Sequence, residues 1–350
     1  MQIHTFEVSA PLSNENFYKI QNELKSKHND MWKAQKKGMN YWGLSDKGII
    51  INMYQIKKKG FYAYSITYRI SARRVIENDN RVGIFNTKNY PELKDKVNRI
   101  LNKQCELLPV LDKCNLRRFD LCINAKLDNQ EQVKAYIKTA CRANIPTTLE
   151  RYMIDDKPSK DDMTIYSDNY IAISIYNKYK QMKKENSKAK KHNKPIYSDK
   201  DLKKAENIVR MEIRCMEGKV KALKEKYDIY SVDDFMNNAD KIGNVLFNYY
   251  LTKIFSKGTI YTLDEARKQI KISGYKSDKC ELLNEFLTTA TELRSTSKAM
   301  KIYNKNEINK IIYMLDNINV NYVTATMATA KLFHKAYIPT PIELFNDYVE

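Results

Sequence analysis

The segment YIAISIYNK places Tyr176 and Lys178 two residues apart, on the face of a strand opposite Ile171, Ile173 and Ile175. A phenol with an ordinary pKa of about 10 is a poor nucleophile at neutral pH, so attack requires nearby positive charge or a base. Two further segments carry suitable partners. In LRRFDLCIN, Arg118, Asp120, Cys122 and Asn124 share one face while Phe119, Leu121 and Ile123 share the other. In NIVRMEIRCM, Arg210, Glu212 and Arg214 alternate with Val209, Met211, Ile213 and Cys215. If the three charged faces lie on one side of an antiparallel sheet, Asp120, Tyr176, Lys178, Arg210 and Glu212 converge. Two carboxylates in such a group suit Mg²⁺ or Mn²⁺, which polarises a phosphate and stabilises charge on its oxygens. That is phosphoryl-transfer chemistry.

Each element also has an ordinary structural explanation. An acid beside arginines on a strand forms a surface ion pair, and Tyr176 is one of 25 tyrosines. Only adjacency of the three strands gives the combination its meaning.

The elements that must position these residues are those of an α+β fold: a central antiparallel sheet with flanking helices, followed by a helical C-terminal region. MQIHTFEVSA, KGIIINMYQI and FYAYSITYRISARRVI read as strands, the last two joined by the turn KKKG. Helical spacing appears in NENFYKIQNELKSKH, in PELKDKVNRILNKQCELLPVL, which opens with Pro91, and in NQEQVKAYIKTACRAN. After Ser231, which with Asp234 suits a helix cap, the pattern is helical through LDEARKQIKI, DKCELLNEFLTTATELRS, KNEINKIIYMLDNI and NYVTATMATAKLFHKAY. SKGT near residue 258 is the best candidate for a boundary, giving regions 1–258 and 259–350, the second for binding DNA or a partner.

Lysine and arginine outnumber aspartate and glutamate by 61 to 42, a formal charge of +19, which favours polyanions through counterion release. Between Lys178 and Lys194 stand eight lysines and one glutamate, including Lys183, Lys184, Lys190 and Lys191. This run reads as an exposed helix or loop that grips a phosphate backbone. The N-terminus has no secretory pattern and no stretch of about 18 apolar residues occurs, so a cytoplasmic location without membrane partners is expected. Six cysteines without CxxC spacing read as buried free thiols.

The ordered series Arg-x-Asp in RRFDLCIN, Tyr-x-Lys in IYNK and Arg-x-Glu-x-Arg in VRMEIR resembles the gene II replication initiators of filamentous phages, the gene II/X family of phages and plasmids. The resemblance runs from about Leu111 to Val320, and the N-terminal part matches only in strand character. It implies a rolling-circle initiator that nicks one strand of a supercoiled origin, leaves a 3′-hydroxyl and later rejoins the displaced strand. Tyr176 matches the active tyrosine, and Asp120 and Glu212 match the acidic positions assigned to a metal. Arg118, Arg210 and Arg214 fall in the matching motifs and are assigned phosphate contacts. Partners implied are duplex origin and single-stranded DNA, with host helicase, polymerase and single-strand-binding protein. The fold implied is that of rolling-circle initiators and relaxases. The paired histidines of other nicking enzymes are absent, since His4, His28, His192 and His334 are far apart in sequence, and a third metal ligand is left open. Tyr179 is a candidate for a second transesterification, although on a continuing strand it points to the opposite face. The main competing reading is a non-enzymatic origin-binding initiator or DNA-binding regulator. An RNA-binding module ranks below both, because it leaves the acidic and tyrosine motifs unused.

Overall fold

The computed structural model describes residues 2–28, 32–36, 39–76, 82, 85–151, 153, 154, 157, 158, 162–167, 170–190 and 197–347. Its principal sheet contains the strands β1 (Gln2–Leu12), β2 (Trp32–Lys36), β3 (Met39–Asp46), β4 (Ile49–Lys58), β5 (Phe61–Ile70), β6 (Phe85–Asn86), β7 (Asn115–Lys126) and β8 (Glu150–Arg151). A hairpin of β9 (Met153–Ile154) and β10 (Lys157–Pro158) stands apart; β11 (Asp162–Ser167), β12 (Ile171–Asn177) and β13 (Ile208–Cys215) complete the sheet. Its order is β2-β3-β4-β5-β1-β7-β13-β12-β11-β8, with β6 paired to β1. β7, β13 and β12, which carry the three motifs, are therefore consecutive neighbours. The fold is α+β, with a large antiparallel sheet, flanking helices and a helical C-terminal region.

The chain forms two compact units. The first comprises Met1–Cys122, Asp168–Ile171 and Ile213–Gly243; the second comprises Ile123–Ser167, Ala172–Glu212 and Asn244–Glu350. Residues on either side of position 258 thus belong to the same unit. Gly258 is locked there: an added Cβ would fall 2.4 Å from the Val320 carbonyl carbon. The Asn321 side-chain amide also donates to the Gly258 carbonyl at 2.7 Å.

In the first unit, alternation on β1, β4 and β5 buries Phe6, Val8, Ile51, Met53, Ile66 and Tyr68. Helix α1 (Asn14–Lys27), capped by Ser13, buries Phe17, Ile20 and Leu24, each contributing roughly 1.5–3 kcal/mol. The Phe17 ring lies 4.9 Å from Tyr64 and 5.7 Å from Trp42. β5 ends at Ile70, short of the strand expected through Ile76, because the Ser71 carbonyl accepts from Arg74 and starts the short helix α2 (Ala72–Ile76). Helix α3 (Tyr90–Gln104) buries Leu93, Val97 and Leu101 and ends short of the expected Leu111, because Cys105 takes an extended backbone.

In the second unit, helix α4 (Gln130–Ala140), capped by Asn129, buries Val133, Tyr136 and Ile137. Helices α5 (Lys178–Lys190) and α6 (Asp199–Lys204) follow β12. Helix α7 (Glu217–Tyr227), in the first unit, was not expected, whereas α8 (Val232–Phe255) begins, also in the first unit, at the expected Ser231–Asp234 cap. Helices Leu263–Lys271, Ser277–Glu292 and Lys305–Asn317 occupy their expected positions. The last expected helix shrinks to Met327–Leu332, because Thr326 caps it and His334 takes a positive φ just beyond it. All six cysteines are free thiols. Among the described residues, no helix is long and apolar enough to cross a membrane.

The β3–β4 hairpin turns on Lys47 and Gly48, with φ of 42° and 88°. Positive φ at both central residues is the requirement of a type I′ turn. At Lys47 it costs about 1–2 kcal/mol, since the side chain crowds the carbonyl. At Gly48 a Cβ would also stand 2.8 Å from the Arg74 Cβ. Gly48→Ala is accordingly expected to lower stability by about 1–2 kcal/mol or more, read as a lower urea midpoint at unchanged slope.

Candidate metal and tyrosine site

β1 and β7 pair antiparallel, with Phe6 opposite Phe119 and Thr5 opposite Asp120. Between Ile3, opposite Leu121, and Thr5 the register shifts, so His4 is the extra residue of a β-bulge. A bulge bends the strand and re-aims one side chain. Here it lets Ile3 remain in the core with Phe6 while His4 and Thr5 both escape the simple alternation. The Thr5 hydroxyl lies 3.4 Å from His4 Nδ1.

Asp120 is only 2% exposed. Arg118, two residues earlier on the same face, donates through Nε to Oδ1 at 2.9 Å and through its terminal nitrogen to Oδ2 at 2.6 Å. Arg214 from β13 stands 3.4 Å from Oδ1. Planar fork geometry makes this a strong charge-assisted pairing. Cys215, fully buried beside it in sequence, is held as a neutral thiol: burial raises its pKa, and nearby Asp120 adds to the shift. It is therefore neither a nucleophile nor a ready ligand.

In the second unit, Tyr176 donates its hydroxyl hydrogen bond to Glu212 Oε2 at 3.0 Å. The tyrosine is half-buried and Glu212 is buried. Arg210, on the same face two residues earlier, has no exposed surface and donates through Nε to Asn124 Oδ1 at 2.7 Å. That burial leaves no surface for a phosphate, and the phosphate contact expected of Arg210 gives way to a pairing inside the fold.

β12 ends at Asn177 because this residue turns from strand to helix. Its side-chain oxygen accepts from the Lys180 backbone at 3.0 Å, capping α5, and its amide donates to Gln130 at 2.8 Å. Lys178 consequently lies at the first position of a helix, 1% exposed, with Nζ 2.8 Å from Gln181 Oε1 and 5.9 Å from the centre of the Tyr197 ring. Tyr179 is on the helix as well, so the continuing strand expected to turn it away does not exist. Lys183 is exposed and lies 4.4 Å from the Tyr179 ring centre, and Lys184 is exposed nearby on the helix. Lys190 belongs to α5, whereas Lys191 and His192 lie outside the described residues.

One ligand atom from each of His4, Asp120 and Glu212 lies within 4.8 Å of the others. Two carboxylates and an imidazole form a mixed oxygen and nitrogen donor set suited to a divalent cation. His4 is the candidate for the third donor that the motifs left open. The signal for it was the break of period two in IHTFEV, where Thr5 and Phe6 are both buried in succession.

The α+β fold thus carries on its sheet an acid and imidazole cluster that could hold a metal ion, with a tyrosine hydrogen-bonded to one of the acids. The family model for the N-terminal part of the replication-associated gene II protein matches residues 5–238, well over half of the chain. The chain belongs to this family of phage replication proteins. The match starts far earlier than the resemblance drawn from the three motifs, so β1 with His4 next to its first matched residue lies within or at the edge of the family's domain. No curated protein matches the chain.

His4→Ala is expected to weaken Mn²⁺ binding by at least about tenfold, the loss that even supporting residues of a metal site produce. Electron paramagnetic resonance titration of free Mn²⁺ reads this directly, and an unchanged isotherm would remove His4 from the site.

Proposed function

We propose that this protein initiates rolling-circle DNA replication by nicking one strand of an origin through tyrosine transesterification, and later rejoins the displaced strand. The hydrogen bond from Tyr176 to Glu212 carries this reading, because it joins the candidate nucleophile to a base before any substrate arrives. Tyr176 Oη attacks phosphorus, its proton passes to Glu212, the bond from phosphorus to the 3′-oxygen breaks and that oxygen leaves as a hydroxyl after taking a proton from water. One phosphodiester replaces another, so the bond energy is retained in a 5′-phosphotyrosine. For rejoining, a 3′-hydroxyl attacks this ester and Tyr176 regains its proton.

Mg²⁺ or Mn²⁺, when held by His4, Asp120 and Glu212, supplies charge stabilisation at the phosphate oxygens. Glu212 accepts from Tyr176 through Oε2 and is also one of the three residues that would hold the cation. Arg118 and Arg214 balance the buried Asp120 before the cation arrives, and with 16% and 38% of their side chains exposed they retain surface for the scissile phosphate. Lys178, two residues beyond Tyr176, is assigned a supporting positive charge in the reaction, while exposed Lys183 and Lys184 hold the strand through its phosphates. Lys190 and Lys191 extend this run in sequence. The C-terminal region from residue 259 is assigned to DNA or to the host helicase, polymerase and single-strand-binding protein, and the protein works in the cytoplasm.

Tyr176→Phe is expected to leave Mn²⁺ binding and folding intact, with a stability change of about 1 kcal/mol for one lost hydrogen bond, and to abolish relaxed circles from supercoiled origin DNA. Retained nicking would transfer the role to another tyrosine, Tyr179 first. Tight origin binding by the unaltered protein without nicking in Mg²⁺ or Mn²⁺ would favour the non-enzymatic origin-binding initiator.

A further inference from the structure

The first unit carries a second basic feature, none of whose residues belongs to the constellation above. A cleft of about 370 Å³ is lined by Lys47, Lys96, Arg99 and Lys103 over an apolar floor of Val75, Ile76 and Ile100. Lys96, Arg99, Ile100 and Lys103 recur at the spacing of one helix face, while Leu93, Val97 and Leu101 form the buried stripe of the same helix. The helix thus turns its apolar stripe into the core and a cationic one into the cleft.

No carboxylate lines the cleft among the described residues. Glu92 approaches Lys96 at 3.2 Å from one turn earlier on α3, and Lys96 also donates to the Ile76 carbonyl at 3.1 Å, which fixes the ammonium at the end of α2. Arg99 and Lys103 are exposed.

Lys47 gives a second and independent observation. It occupies the left-handed position of a tight hairpin where asparagine, aspartate or glycine is favoured. Strain of this kind concentrates at sites that bind or react. The turn gives up conformational stability to keep a cation at the lip of the cleft.

We propose that this cleft binds the backbone of single-stranded DNA, its four cations meeting phosphates and its apolar floor meeting an unstacked sugar and base. The volume falls in the range of about 300–1,000 Å³ typical of small-ligand sites, enough for a nucleotide rather than the flank of a rod. Duplex DNA shows its phosphates on a convex surface with the bases stacked inside, and would leave Val75, Ile76 and Ile100 unused. The proposal rests on the reading of the protein as a DNA-binding initiator, but places strand binding on residues that the nicking reaction does not require.

The test is fluorescence anisotropy of a fluorescein-labelled oligodeoxythymidylate, with chelator present, across a series of KCl concentrations. For Arg99→Glu with Lys103→Glu, affinity is expected to fall by about tenfold or more, and the slope of log affinity against log salt to become shallower by about 0.7 for each phosphate left without its cation. Unchanged affinity and slope overturn the proposal. Should that double variant fail to fold, Lys47→Asn decides the matter, because asparagine suits the left-handed turn: a slope shallower by about 0.7 supports the cleft, and an unchanged slope rejects it. An equal or larger loss on a duplex of the same length would overturn the assignment to single strands. Covalent adduct formation by Tyr176 at saturating DNA is expected to persist in these variants. Absence of that adduct in the unaltered protein would remove the nicking reading and leave the binding result standing.

Discussion

Burying a carboxylate without a cation against it costs several kcal/mol, and removing one partner of a buried pair typically costs about 3–5 kcal/mol. Asp120, at 2% exposure, is balanced by the fork of Arg118 and by Arg214. The Arg-x-Asp spacing therefore has a folding meaning before it has a chemical one: two residues apart on a strand, the guanidinium and the carboxylate share a face. The same carboxylate is a candidate metal ligand. The group that stabilises the sheet is thus also one of the three that would hold a cation in the proposed reaction.

Period two made the middle strands legible. Phe119 and Leu121 face the core as the alternation of LRRFDLCIN requires, and Tyr176 and Glu212, read onto charged faces of separate strands, meet at 3.0 Å. The ends of elements were less legible, because they depend on single side chains rather than on a repeat. Asn177 stops β12 by capping α5, which moved Lys178 and Tyr179 from a strand to a helix. Ser71 and Thr326 likewise decide where α2 and the helix Met327–Leu332 begin. The pairing of β2 with β3 gave no clear signal, since MWKAQKKGMNYWG mixes charges and aromatics without sustained alternation.

His4 shows why part of the site escaped the sequence. A bulge inserts one residue into a strand without changing the composition around it, and reverses the face of everything on one side of the insertion. Strict alternation from Phe6 would put His4 on the core face with Phe6 and Val8, and Ile3 outside; the bulge restores Ile3 to the core at 0% exposure. A buried Ile3 paired with Leu121 makes the irregular register favourable, and the imidazole is displaced toward Asp120 as a consequence. The hydrophobic effect at one residue sets the position of a donor at the next.

The same trade between regularity and placement recurs at the β3–β4 turn. Asparagine at position 47 would satisfy the hairpin with less strain, and nothing in the packing of Gly48 against Arg74 asks for a lysine beside it. A net charge of +19 would be served equally by a lysine on any exposed strand position, without a left-handed backbone. What distinguishes position 47 is the cleft that it shares with Lys96, Arg99 and Lys103. The strain is thus better explained by where the ammonium stands than by the charge it adds, which makes the cleft a binding feature rather than a general solubilising surface.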